Sequence, residues 1–113
     1  MSSNLHKIQH ALSSIDQIFE YADGYDLNSF INDRKTSDAV LIHFVNLGER
    51  LTGLTDDFKE SFTNLPYAKA RAMRNFISHQ YDSVDQSVVW KTIQEDLPKI
   101  KSTLLSINEE LSL

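Results

Sequence analysis

The residues best suited to chemistry lie in one stretch, Arg71-Ala72-Met73-Arg74-Asn75-Phe76-Ile77-Ser78-His79-Gln80-Tyr81. Wound on a helix at about 100° per residue, it divides into two faces. Ala72, Met73, Phe76 and Ile77 are expected on the core side; Arg71, Arg74, Asn75, Ser78 and His79 share the other. Two guanidiniums, an amide, a hydroxyl and an imidazole on one surface suit a phosphate-bearing substrate. Arginine offers a planar donor fork to phosphate oxygens, and imidazole gives or takes a proton near neutral pH. A polar outer face is the ordinary condition of a surface helix. This one stands out because no Asp or Glu occurs between Glu60 and Asp82, so Lys69, Arg71 and Arg74 form a basic island in a chain with 16 acidic residues.

That island sits against the overall balance. The formal charge is -5, which opposes generic nucleic-acid binding driven by a broad basic field. Any RNA contact must be local. The chain has no cysteine, hence neither a disulfide framework nor a thiolate metal site. No apolar run approaches the roughly 20 residues that span a bilayer, and Met1 to Lys7 lacks the apolar core of a signal peptide. A cytoplasmic protein without membrane contact is expected. At 113 residues, 41% of them hydrophobic, the chain suits one domain spanning 1–113 with a core of its own.

Few glycines and prolines favour helices over many strands and turns. Leu5, Ile8, Leu12, Ile15, Phe19 and Ala22 recur at spacings of 3 and 4, marking a long first helix with Ser2, Ser3 or Asn4 as cap and Gly24 as stop. Asp26 to Ile31 reads as a short helical turn capped by Asp26 or Asn28. A second long helix is expected to open near Thr36 or Ser37 with the seam Val40, Phe44, Leu47, Leu51 and Leu54. Gly48 lies inside it at a cost of about 1 kcal/mol relative to Ala, which points to close approach of another backbone, within the bundle or across a dimer. The pattern weakens from Thr55 to Ser61. Pro66 suits the first turn of a third helix ending between Ser78 and Tyr81. Ser83 or Asp85 then caps a last helix carrying Trp90, Ile93, Leu97, Ile100, Leu104 and Ile107, where Pro98 should impose a kink or a restart capped by Asp96. The expected fold is all-α: an antiparallel up-and-down bundle of four main helices with a short extra helix or turn.

Arg74-Asn75, then His79 and Tyr81, resembles the Arg-x4-His-x-Tyr signature of HepT toxins, the DUF86-type members of the HEPN superfamily. The likeness extends to Asp38-Ala39-Val40 and Leu47-Gly48-Glu49 in the second helix, to Pro66-Tyr67 before the signature, and to Val89-Trp90-Lys91-Thr92-Ile93 and Asp96-Leu97-Pro98 in the last helix. Ile42 and Val45 depart from it, since the family often has polar or charged residues there. The resemblance implies a metal-independent endoribonuclease toxin of a type VII-like toxin–antitoxin pair. It implies no cofactor, and a cognate MNT-type nucleotidyltransferase antitoxin that silences the nuclease by transferring AMP to the tyrosine, here Tyr81. Arg74 would stabilise transition-state charge and His79 transfer a proton, with Asn75, Arg71 and Ser78 in support. A different reading is a non-catalytic, nucleotide- or substrate-binding subunit of a split nucleotidyltransferase.

A separation of five residues sets Arg74 and His79 about 140° apart on a regular helix. One chain then holds no compact Arg–His site unless the helix end is distorted. A homodimer could join two such pairs in one groove, and the resemblance implies the same. Elsewhere, His6 and His10 form an i, i+4 pair with no evident third ligand, so no metal site is assigned. His43 is read as a packed or interface residue and Trp90 as a core anchor.

Overall fold

The computed structural model describes residues 2–113. It is all-helical, with no strand among the described residues. The elements are α1 (Ser2–Ala22), α2 (Leu27–Asn32), α3 (Arg34–Thr52), α4 (Asp56–Ser61), α5 (Tyr67–Gln80), a 3₁₀ turn (Tyr81–Ser83), α6 (Gln86–Lys91), a π-helical turn (Thr92–Asp96) and α7 (Leu97–Leu111). Joined end to end, α6, the π turn and α7 form the fourth long helix, so four main helices and two short ones make the bundle.

Helix α1 buries Ile8, Ala11, Leu12, Ile15 and Ile18 against Val40, Leu41, Phe44, Leu47 and Leu51 of α3, while Leu97, Leu104 and Ile107 of α7 close the same core. Each fully buried side chain of this size contributes about 1.5–3 kcal/mol. Because α1 begins at Ser2, Ser3 and Asn4 lie inside the helix rather than capping it; the preceding residue, Met1, lies outside the described residues. The Asn4 amide donates instead to Thr55 Oγ1 at 3.0 Å, and its Oδ1 accepts from the Thr55 N–H. Gly24 takes φ +82°, the left-handed conformation that ends α1.

The start of α3 differs from expectation. It opens at Arg34, not Thr36 or Ser37, because Asp33 serves as its cap and accepts from the Thr36 N–H and hydroxyl. The Tyr25 hydroxyl donates to the same carboxylate at 2.6 Å. Asp26 caps α2 in a reciprocal pairing with Ser29. Thr55 to Ser61, where periodicity weakens, still forms α4, capped by Thr55 and anchored by buried Phe58.

At Pro98 the regular helix is interrupted, as expected, but the restart at Leu97 carries no side-chain cap from Asp96. The helix widens into the π turn just before it, where the Leu97 N–H reaches back to the Thr92 carbonyl. A wider turn accommodates a ring that would crowd the carbonyl of Gln94. Trp90 is half-buried with its ring 5.1 Å from that of Phe30, fastening α6 over α2.

Helix α5 lies at the side of the bundle. It packs extensively on α3 but has no comparable contact with α7. Its only fully buried side chain is Ile77, joined by half-buried Ala70 and Met73. Ala72 and Phe76, expected in the core, are exposed, Phe76 by 47%. A helix supported along one flank buries a narrow stripe, and these two residues fall outside it.

Candidate functional site

The segment leading into α5 is held from both sides. Leu65 is buried, and the Tyr67 hydroxyl donates to the Phe62 carbonyl at 2.7 Å. Pro66 occupies the position just before Tyr67, where a fixed φ and a missing N–H cost nothing. From there α5 runs as regular helix to Gln80, so the helix is not distorted between Arg74 and His79.

Gly48 determines how closely α5 can approach α3. Its missing side chain lets the Arg74 Cβ and the Ala70 carbonyl settle onto the α3 backbone. The close approach read from this glycine lies within the bundle. The stem of Arg74 is thereby wedged, and its head is oriented by two partners. Nη1 donates to Thr52 Oγ1 at 3.1 Å. Nη2 and Nε both donate to Asn75 Oδ1, at 3.0 and 3.3 Å. The Thr52 hydroxyl itself donates to the Gly48 carbonyl at 2.8 Å, which fixes its oxygen as the acceptor for Arg74. Thr52 did not stand out in the sequence; its only signal is its position one turn beyond Gly48 on the same helix.

The ion pairs among the described residues are Arg34–Asp38 and Lys101–Asp16, so neither Arg71 nor Arg74 is neutralised by a carboxylate. Arg71, Arg74 and Ser78 follow one another at spacings of three and four along one flank of α5, beside α3. Ala68, Ala72, Asn75 and His79 follow at spacings of four, three and four along the outermost line of the helix, all exposed. Arg74 and Asn75 are therefore brought together, Arg71 and Ser78 lie alongside, and His79 stands apart about 140° round the helix. His79 makes no hydrogen bond among the described residues. Tyr81 begins the 3₁₀ turn, 55% exposed, with its hydroxyl unengaged by any described residue.

The remaining histidines lie elsewhere. His6 and His10 are exposed on α1, and His10 borders a polar hollow with His43, Gln17 and Arg50. His43 is half-buried, its ring 5.5 Å from that of Tyr21, and burial holds its pKa below the ordinary imidazole value. No helix among the described residues is long and apolar enough to cross a membrane.

Comparison with known proteins bears on the chain as a whole. The family model described as "Ribonuclease HepT-like" matches residues 11–107. A protein of Methanocaldococcus jannaschii named "Putative RNase MJ1380" is 34% identical over 80% of this chain and 83% of its own. A protein of Thermococcus cleftensis named "Probable ribonuclease HepT" is 31% identical over 83% of this chain and 86% of its own. A second M. jannaschii protein, "Gamma-glutamylcyclotransferase and putative RNase MJ0434", is 31% identical over 92% of this chain but only 47% of its own. No solved structure matches the chain.

Proposed function

Since the chain belongs to the HepT-like ribonuclease family, we propose that it is a metal-independent endoribonuclease toxin whose active groove is completed by a second copy of itself. One observation carries this reading. An arginine free of carboxylate partners is held on the α3 side of α5 by Thr52 and Asn75, while the histidine of the same helix lies on its outermost line about 140° away, where its own chain cannot bring the two together.

Two α5 helices crossing about a two-fold axis along Ala68, Ala72, Asn75 and His79 would approach closely, because alanines leave room for backbones to meet. Exposed Phe76 beside that line adds apolar area. The groove would then contain two arginines and two histidines. One imidazole removes the proton from a ribose 2′-hydroxyl. The oxygen attacks the adjoining phosphorus, and the other imidazole protonates the departing 5′-oxygen. The products are a 2′,3′-cyclic phosphate and a free 5′-hydroxyl. Arg74 bears on the anionic phosphorane, where preorganised charge is worth most. Arg71 holds a neighbouring phosphate, and Asn75, already fixed on Arg74, keeps the guanidinium oriented.

Tyr81 is the proposed point of control. Its exposed hydroxyl lies at the end of the same helix. Transfer of AMP from ATP by an MNT-type nucleotidyltransferase, with release of pyrophosphate, would add bulk and negative charge where substrate phosphate must lie. The direct test is cleavage of RNA by the purified protein with and without EDTA, comparing wild type with His79→Ala and Arg74→Ala. EDTA-resistant cleavage ending in cyclic phosphate and lost in both variants is expected. Equal cleavage by the variants would remove the assignment.

A further inference from the structure

The bundle is not closed. Because α5 rests mainly on α3, with no comparable contact to α7, a cleft of about 240 Å³ opens between the three helices. Its floor and walls are apolar, formed among others by Phe44, Leu47 and Leu51 of α3, Met73 of α5, and Leu97 and Ile100 of α7. An apolar recess with a few polar groups at its mouth is the usual form of a small-molecule site. The polar groups here are not neutral on balance. Lys69 from α5 and Lys99 from α7 stand on opposite walls, against Asp96 alone. In a chain of formal charge -5, this opening is locally cationic.

The cleft is separate from the proposed RNA groove. Ala70 and Met73 face it from the side of α5 nearly opposite Asn75 and His79. It also borders the one π turn among the described residues, since Thr92 and Asp96 belong to its lining. Turns of this kind recur at ligand sites, where the backbone is bent to make room.

We infer that this cleft binds a small anionic amphiphile, with its apolar body between α3, α5 and α7 and its carboxylate or other acidic head between Lys69 and Lys99. The volume lies just below the range of about 300–1,000 Å³ usual for small-ligand pockets, which favours a short aliphatic or single aromatic body over a dinucleotide. Gly48 lines the cleft and also receives the Arg74 stem. An occupant therefore lies directly behind the contact that positions α5.

Decanoate has this chemistry, and the bulkier anionic fluorophore 1-anilinonaphthalene-8-sulfonate reports on the cleft by seating one of its aromatic groups there. Titration of the intact protein with the fluorophore is expected to saturate at one molecule per chain, with decanoate displacing it and raising the melting temperature. Decanol, which has the same chain without the charge, should bind at least tenfold more weakly. The double variant Lys69→Glu/Lys99→Glu changes only exposed residues and should weaken decanoate about tenfold or more while melting cooperatively. Thr103→Trp, which fills the α7 wall, should abolish binding of both probes. No saturable binding, equal affinity for decanol and decanoate, or affinity unmoved by the charge reversal would overturn the assignment. So would binding that appears only after Phe76→Asp separates the copies, because a partner side chain would then be the natural occupant.

Discussion

Gly48 and Arg74 are fitted to each other: a Cβ added to the glycine would stand 2.7 Å from the Arg74 Cβ and 2.9 Å from the Ala70 carbonyl oxygen. Both distances are too short for either helix to stay in place. Two opposed effects meet in Gly48→Ala. Relief of the helical glycine is worth about 1 kcal/mol, whereas overpacking costs about 1–3 kcal/mol. The obstacle is largely backbone and the base of a side chain, so overpacking should prevail. Urea denaturation should show a loss of up to about 2 kcal/mol, and RNA cleavage should fall with it as Arg74 is displaced. A stabilised variant would show that α5 is free to move outward.

Thr52→Val tests the orientation of Arg74 without altering shape. It removes the acceptor for Nη1 and leaves a methyl in its place. Thr52 is only half-buried, so stability should change by less than about 1 kcal/mol. Cleavage should fall about tenfold, equivalent to about 1.4 kcal/mol of transition-state stabilisation, with little change in RNA affinity. Unchanged cleavage would mean that Asn75 alone suffices to orient the guanidinium.

What was legible in the sequence depended on where the physics is local. The helical seams of α1, α3 and α7 and the Asp26 cap follow from spacing and residue type. The start of α3 was misplaced by two or three residues because Thr36 looks like a cap until Tyr25 and Thr36 are both seen to serve Asp33. An interruption before Pro98 was legible from its ring and missing N–H, but its form, a π turn rather than a restart capped by Asp96, was not. Ala72 and Phe76 misled for a reason of tertiary structure: a helix supported on one flank does not bury its whole apolar arc, and no periodicity records how many neighbours a helix has. Within the site, the pairing of Arg74 with Asn75 was not legible, since neighbouring helical side chains do not ordinarily face each other and Asn75 was expected to orient the imidazole or the phosphate. Nor was Thr52, since its role depends on α3 crossing α5 at Gly48.

The Asp33 network gives the fold an acid-sensitive point. The Tyr25 hydroxyl, followed by the Thr36 N–H and hydroxyl, holds the Asp33 carboxyl below its ordinary pKa. A depressed carboxylate contributes stability that is present above its unfolded pKa and lost as pH falls through the folded one. In melts from about pH 6 down to about pH 2, wild type should exceed Asp33→Asn at the upper end. The difference should shrink as the carboxylate range is crossed. A gap that widens on acidification would reverse the sign.

Phe76 provides the test of association. With 47% of its surface exposed, it can be made polar at little cost to the fold, since substitutions away from buried features usually stay within about 0.5 kcal/mol. Phe76→Asp should sediment as a monomer with an unchanged helical spectrum and should cleave RNA at least 100-fold more slowly, the scale expected when a general acid or base is lost. A variant that stays dimeric would place the interface elsewhere.

The shared groove is tested most directly by dilution with an inactive copy. Wild type is mixed with increasing His79→Ala protein at constant total concentration, allowed to exchange subunits, and assayed for RNA cleavage. His79 is exposed in the single chain and makes no hydrogen bond among the described residues, so the variant should fold normally, and sedimentation of the variant before mixing checks that it still pairs. If each groove needs both imidazoles, only wild-type pairs cleave, and the rate falls with the square of the wild-type fraction. A linear fall would mean that each chain carries a complete site of its own, contradicting the shared groove.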